Sequence, residues 1–228
     1  MKNLTNYIIE RLGTHGTAWD FDEFRLDQGG KATGDLAYGW GLYFADNEYL
    51  AKNYMCHAWD VRNDKKCDLL SIIKSKIKEL LGNKEMKNNN GIGYNNGYVY
   101  YVELPDEEEK YIDWFEEDKN KLSEIINKLK LDEQQQEKVN KIMNKSKCYL
   151  GLIYEGLYNK QKSNGPEISK LFEDAGYVGF KVKPFSRVKN KTGKDFSKNW
   201  NYVIFNPKNV KIIKKDKFEF TDNGKIKE

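Results

Sequence analysis

Apolar positions in this chain come in short runs, separated by clusters of Gly, Asn, Asp and Lys. Tyr7 to Leu12 reads as a strand-like lead-in to a Thr-His-Gly-Thr turn. An aromatic and acidic stretch, Ala18 to Leu26, precedes a Gly-rich loop from Gln28 to Gly41. Leu42 to Ala45 is short and wholly apolar, which predicts a buried strand. Asp46 stands where an N-cap belongs, ahead of a helix through about Ala58. In a second helix, Asp68 to Leu81, the residues Leu69, Ile72, Ile73, Ile77, Leu80 and Leu81 share one stripe, and Gly82 stops it.

Lys84 to Asn96 is Asn- and Gly-rich and reads as a loop. Tyr98 to Leu104 alternates as a strand does and ends at Pro105, before the acidic run Asp106 to Glu109. Two or three helices fill Asn120 to Lys160, with Leu122, Ile125, Ile126 and Leu129 at helical spacing. Pro166 opens another helix that ends near Gly176. Val178 to Val182, Tyr202 to Phe205 and Val210 to Ile213 read as strands, with a polar loop, Pro184 to Asn199, between the first two. The order is mixed, so the fold class is α+β. We expect a single domain over 1–228, with a helical insertion at about 106–162 and a basic loop and C-terminal strands at about 181–228.

Composition narrows the class. Of 228 residues, 39% are hydrophobic and 14% aromatic, enough for a core despite a charged fraction of 32%. No run approaches the length of a membrane span, and the N-terminal residues lack a signal peptide's apolar stretch, so a cytoplasmic protein without membrane contact is expected. Three cysteines (Cys56, Cys67, Cys148) and two histidines lack metal-ligand spacing, so free thiols and no metal site are expected. The net charge of +4 is unevenly divided. Residues 181–228 hold 14 Lys and Arg against 5 Asp and Glu, on an acidic remainder. That tail suits an anionic partner such as nucleic acid or a dinucleotide, though only four of the 39 basic residues are Arg and Lys runs also make solvated faces.

Three stretches carry candidate chemistry: LGTHGTAWDF at 12–21, GWGLYFADNEYLAKNYMCH at 39–57 and NWNYVIFNP at 199–207. Taken singly, each has a structural explanation in turn glycines and core aromatics. Together they resemble the H-Y-E class of ADP-ribosyltransferases, the family of poly(ADP-ribose) polymerases and diphtheria toxin, and most nearly the domains carried by phages and mobile elements. The resemblance rests on His15-Gly16-Thr17, on Gly39-Trp40-Gly41-Leu42-Tyr43-Phe44-Ala45 with Tyr54 in the following helix, and on Asn201-Tyr202-Val203-Ile204-Phe205-Asn206-Pro207. It spans 12–57 and, less closely, 164–213.

The resemblance implies a core of two packed short-stranded sheets and NAD as co-substrate, without a metal. It implies that Gly16 holds the nicotinamide carboxamide through its backbone, that Tyr43 and Tyr54 sandwich the ring, and that His15 binds a ribose hydroxyl. Gly41 belongs to the same cofactor-binding motif, and Thr17 and Arg25 are candidate contacts to adenosine or phosphate. Arg187 and Asn199 fall where the acceptor is recognised. Two positions depart from the family pattern. Ala51 stands where a carboxamide-binding serine is often found, and Asn201 stands at the catalytic glutamate. An amide can hydrogen-bond a ribose hydroxyl but offers neither a base nor a negative charge. Glu103 and Asp195 are candidate substitutes. The resemblance therefore implies transfer of single ADP-ribose units to a macromolecule, protein first and nucleic acid close behind, in a toxin, defence or counter-defence role. NAD glycohydrolysis and an inactive NAD-pocket binding module are the alternatives.

Overall fold

The computed structural model describes residues 11–28, 36–64, 96–158, 163–183, 199–220 and 226–227. The expected helix at 68–81, the loop at 84–95 and the segment 184–198 lie outside the described residues, as do Arg187 and Asp195.

Seven strands form one mixed sheet. In chain order they are β1 (Arg11–Thr17), β2 (Leu42–Ala45), β3 (Asn96–Leu104), β4 (Tyr111–Asp113), β5 (Gly179–Val182), β6 (Asn201–Ile204) and β7 (Lys211–Glu219). Across the sheet the order is β4-β5-β6-β2-β1-β3-β7, antiparallel throughout except for the parallel pair β4 and β5. The two separate sheets implied by the resemblance are thus corrected to one, for an identifiable reason. A block β4-β5-β6-β2 and a block β1-β3-β7 meet through the single register pair Thr14 and Ala45. Thr14 reinforces that seam by donating its hydroxyl to the Ala45 carbonyl at 2.9 Å.

Five helices are described: α1 (Glu48–Asp64), α2 (Lys119–Lys128), α3 (Glu133–Met143), α4 (Leu150–Leu157) and α5 (Gly165–Asp174). Each of the middle pair starts on an acidic cap. Asp118 accepts from the Asn120 amide at 2.8 Å, and Asp132 forms a reciprocal capping box with Gln135. Pro166 sits in the first turn of α5, and Gly176 follows that helix at φ +92°, a backbone state that glycine adopts without steric cost.

The largest core cluster joins Leu122, Ile126, Leu150, Ile153, Ile168 and Phe172 of α2, α4 and α5 to Phe180 and Val203 of the sheet. The 106–162 block therefore supplies β4 to the sheet and helices to its covering layer. The opposite face buries Leu42, Phe44, Tyr100, Val102, Tyr202 and Ile204, with Phe21 and Phe24 packed over them. α1 covers β1 and β3 through Ala51 and Met55.

Several boundaries move. The Thr-His-Gly-Thr turn is the body of β1, paired residue by residue with β3 from Arg11 to Thr17. Asp46 is not the N-cap of α1. Asn47 is, its side-chain oxygen accepting from the Tyr49 amide at 2.8 Å. Asp46 continues the ladder instead, donating its amide to the Trp200 carbonyl at 3.0 Å.

Candidate active site

Predicted residues lie on both faces of the seam between the two sheet blocks. Past the Thr14 and Ala45 pair, β1 and β2 share no further backbone register. There the half-buried His15 ring donates Nδ1–H to the Tyr43 carbonyl at 2.8 Å, a bond that fixes the imidazole orientation. Phe24 lies edge-on to that ring at 5.2 Å, with Phe44 at 5.9 Å and Phe21 at 6.3 Å. Burial lowers the His15 pKa from its ordinary 6.5, against the opposing pull of the bond to Tyr43. With Nδ1 protonated, the neutral ring keeps a lone pair on Nε2 for a hydroxyl donor.

The sign of the pH dependence follows. Below about pH 6.5 the unfolded chain binds a proton that folded His15 resists, so stability is full above that pH and falls as the pH drops towards the lowered folded value. Urea midpoints should therefore fall as the pH is lowered below about 6.5 in the native protein, and a His15→Gln variant should flatten that slope. An unchanged slope would place the imidazole in water.

Alternation along β2 and β6 puts Tyr43, Ala45, Asn201 and Val203 on one face, where Tyr43 and Val203 pack in the cluster formed with α2, α4 and α5 and Asn201 meets Tyr54 of α1. Tyr43 spends its hydroxyl within the loop before β2, donating to the Gly39 carbonyl at 2.8 Å and accepting from the Tyr38 amide at 3.0 Å. Trp40 is clamped on both sides of its peptide group. Its amide donates to the Tyr154 hydroxyl at 2.9 Å and its carbonyl accepts from Ser169 at 2.7 Å. Tyr38, Tyr43 and Tyr54 lie close enough to perturb one another's ionisation. Burial first, then Tyr54, pushes the Tyr38 phenol up to about 12, and burial raises Tyr43 and Tyr54 as well. All three are neutral phenols at physiological pH and can donate hydrogen bonds.

Asn201 is a buried polar group, 5% exposed on β6. Its Nδ2 donates to the Tyr54 hydroxyl at 3.3 Å, whereas Oδ1 is buried with no hydrogen-bond partner. A buried amide oxygen left unpaired is costly unless something donates to it. Tyr54 itself is 43% exposed on α1.

The other predicted residues divide cleanly. Gly16 and Ala51 are the point of closest approach between β1 and α1, because a Cβ on Gly16 would lie 1.7 Å from the Ala51 carbonyl oxygen. Ala51 is fully buried and presents no polar side chain. Gly41 likewise lets β2 approach β6, where a Cβ would meet Ile204 O at 2.8 Å. Thr17 is buried, its hydroxyl accepting from the Trp19 amide at 3.3 Å. Arg25 is exposed and forms a two-pronged pair with Asp27 at 2.9 and 3.1 Å. Asn199 donates to Asp46 Oδ1 at 2.9 Å, and Asp46 Oδ2 accepts from the Trp200 amide at 2.8 Å. Sequence reasoning missed Asp46 as an anchor of β6, and the Tyr154 and Ser169 clamp, because their partners lie over 100 residues away. Glu103 is bonded to Lys211 at 2.7 Å on β3, about 14 Å across the sheet from β6 by strand spacing, so it is not brought to Asn201.

Among the described residues, no group of three or more His, Cys, Asp or Glu converges as a metal site, and no helix is long and apolar enough to cross a membrane. The chain matches no protein-family model, no curated protein and no solved structure.

Proposed function

We propose that this chain is an NAD-dependent mono-ADP-ribosyltransferase, cleaving the nicotinamide–ribose bond and passing ADP-ribose to a macromolecular acceptor, protein or nucleic acid. The observation that carries the reading is the Tyr54–Asn201 pair, a half-exposed phenol bonded to a buried amide whose oxygen lacks a donor. Within the family likeness, that oxygen accepts from a ribose hydroxyl, and the neutral His15 Nε2 accepts from another. The Tyr43 and Tyr54 rings hold the nicotinamide.

The chemistry asks little acid–base work of these residues. As the glycosidic bond stretches, the ribose carbon takes on oxocarbenium-like positive charge, and nicotinamide leaves neutral with the bonding electron pair. An acceptor atom then supplies a new pair to that carbon and sheds its proton. Asn201 orients the ribose without contributing negative charge, so the acceptor must already be a good nucleophile. The absence of a carboxylate at that position also favours a second reading, a module that binds NAD without turning it over.

The test is nicotinamide release from NAD by two variants. Tyr43→Ala removes the ring and should cut release by about a hundredfold or more. Tyr43→Phe keeps the ring and loses only the bonds to Gly39 and Tyr38, so release should stay within about threefold while stability falls by about 1–2 kcal/mol. Equal release by the native protein and Tyr43→Ala would overturn the site assignment.

A further inference from the structure

Trp200 immediately precedes Asn201, and alternation turns its side chain to the opposite face of the sheet, with Tyr202. The indole is partly exposed, and two ammonium groups lie over it, Lys183 Nζ at 5.1 Å and Lys181 Nζ at 5.5 Å from the ring centroid. Both come from the β5 end of the neighbouring strand, two residues apart and therefore on one face. Beside them the Arg11 guanidinium lies 4.5 Å over Tyr111 and 5.1 Å over Tyr202, with Nη1 buried and unbonded. Glu108 bonds both Arg11 and Lys181, and Asp46 has its two oxygens engaged by Asn199 and Trp200. Among the described residues, Lys183 has no ion-pair partner. The chain between Lys183 and Asn199 adds, as sequence charge, five basic residues against Asp195 alone.

We propose that the face around Trp200 binds single-stranded nucleic acid, with a base stacked on the indole and backbone phosphates on Lys181 and Lys183. Nucleic acid alternates a flat π-face with a negative charge, and this face sets a partly exposed indole beside two lysine cations. Lysine stems give up a ring face to a base readily and follow its phosphate instead. An acidic peptide would satisfy the cations but leave the indole without a stacking partner. Trp200 and Asn201 are adjacent in the chain but face opposite sides of the sheet, so binding here is separable from the proposed transfer site. A bound strand's role as acceptor rests on the transferase reading; its binding does not.

The experiment titrates the full chain, without NAD, into fluorescein-labelled oligothymidylate at several salt concentrations and reads anisotropy. Trp200→Leu should raise Kd about tenfold or more, whereas Trp200→Phe, which retains a stacking ring, should stay within about threefold. Lys183→Glu should weaken binding and lower the salt slope by about one. Lys141→Glu, on exposed α3, should leave both unchanged. Absence of binding, equal losses at Lys141 and Lys183, or equally tight binding of a duplex would each overturn the proposal. If NAD label enters only protease-sensitive material and the oligonucleotide is not bound, the acceptor is protein and this inference fails while the transferase reading stands. If the oligonucleotide binds in the predicted pattern but NAD is never cleaved, the surface stands and the transferase reading fails.

Discussion

Gly16→Ala is expected to destabilise the protein by about 3 kcal/mol or more, near the upper end of what overpacking costs. The added methyl would lie 1.7 Å from Ala51 O, 2.6 Å from Ala51 C and 3.0 Å from the Met55 amide nitrogen. All three contacts are helix backbone, so no rotamer change relieves them. α1 must lift from β1, and it carries Tyr54 away from Asn201 as it goes. Urea unfolding followed by far-UV circular dichroism should show a lower midpoint. If the proposed function holds, any surviving fold should bind NAD poorly, because Tyr54 has moved. A loss below about 1 kcal/mol would mean that helix and strand are not in such close contact.

Asn201→Glu carries the second large effect. On the proposed reading, a carboxylate there would face the carbon that becomes positive during bond cleavage, where a fixed negative charge acts on the transition state more than on the ground state. Nicotinamide release should rise about tenfold or more. The longer side chain also overfills a position only 5% exposed, so stability should fall by about 1–3 kcal/mol as Tyr54 is displaced. Asn201→Ala should move release the other way, since it removes the amide that pairs with Tyr54. Rates within twofold for both variants would mean that Asn201 is not beside the reacting ribose.

Much of the site was legible because its parts are local in sequence. The run Leu42 to Ala45 gave its strand to the residue, and Asn201 to Ile204 sits within one residue of expectation. Tyr54 and Asn201 meet through the amide bond, whereas His15 reaches only the Tyr43 backbone carbonyl, and its ring packs with Phe24 and Phe44 on the other face of the sheet. What was hidden is long-range. Asp46 and Asn47 are equally good caps by composition, and the choice is made by Trp200, 154 residues away, which holds Asp46 in the ladder. Gly16 and Gly41 read as motif glycines, whereas their missing side chains also make room for Ala51 and Ile204. β4 is only three residues long, beside an acidic run, and is recruited by pairing with β5. β7 runs to Glu219 rather than stopping near Ile213. As an edge strand it carries lysines on an exposed pattern, which blunts edge pairing and erases the apolar signal. Arg25 illustrates the converse, since the carboxylate that occupies its fork, Asp27, stands two residues along the chain.

The central claim is NAD-dependent transfer, and one measurement addresses it most directly. Purified protein is incubated with NAD labelled in the adenylate half, with and without cell extract, beside Tyr43→Ala. The account predicts nicotinamide release together with label retained on a macromolecule, removed by protease or by nuclease, and absent from the variant. Label recovered only as free ADP-ribose would make the protein a glycohydrolase, and no release under either condition would contradict the transferase account outright.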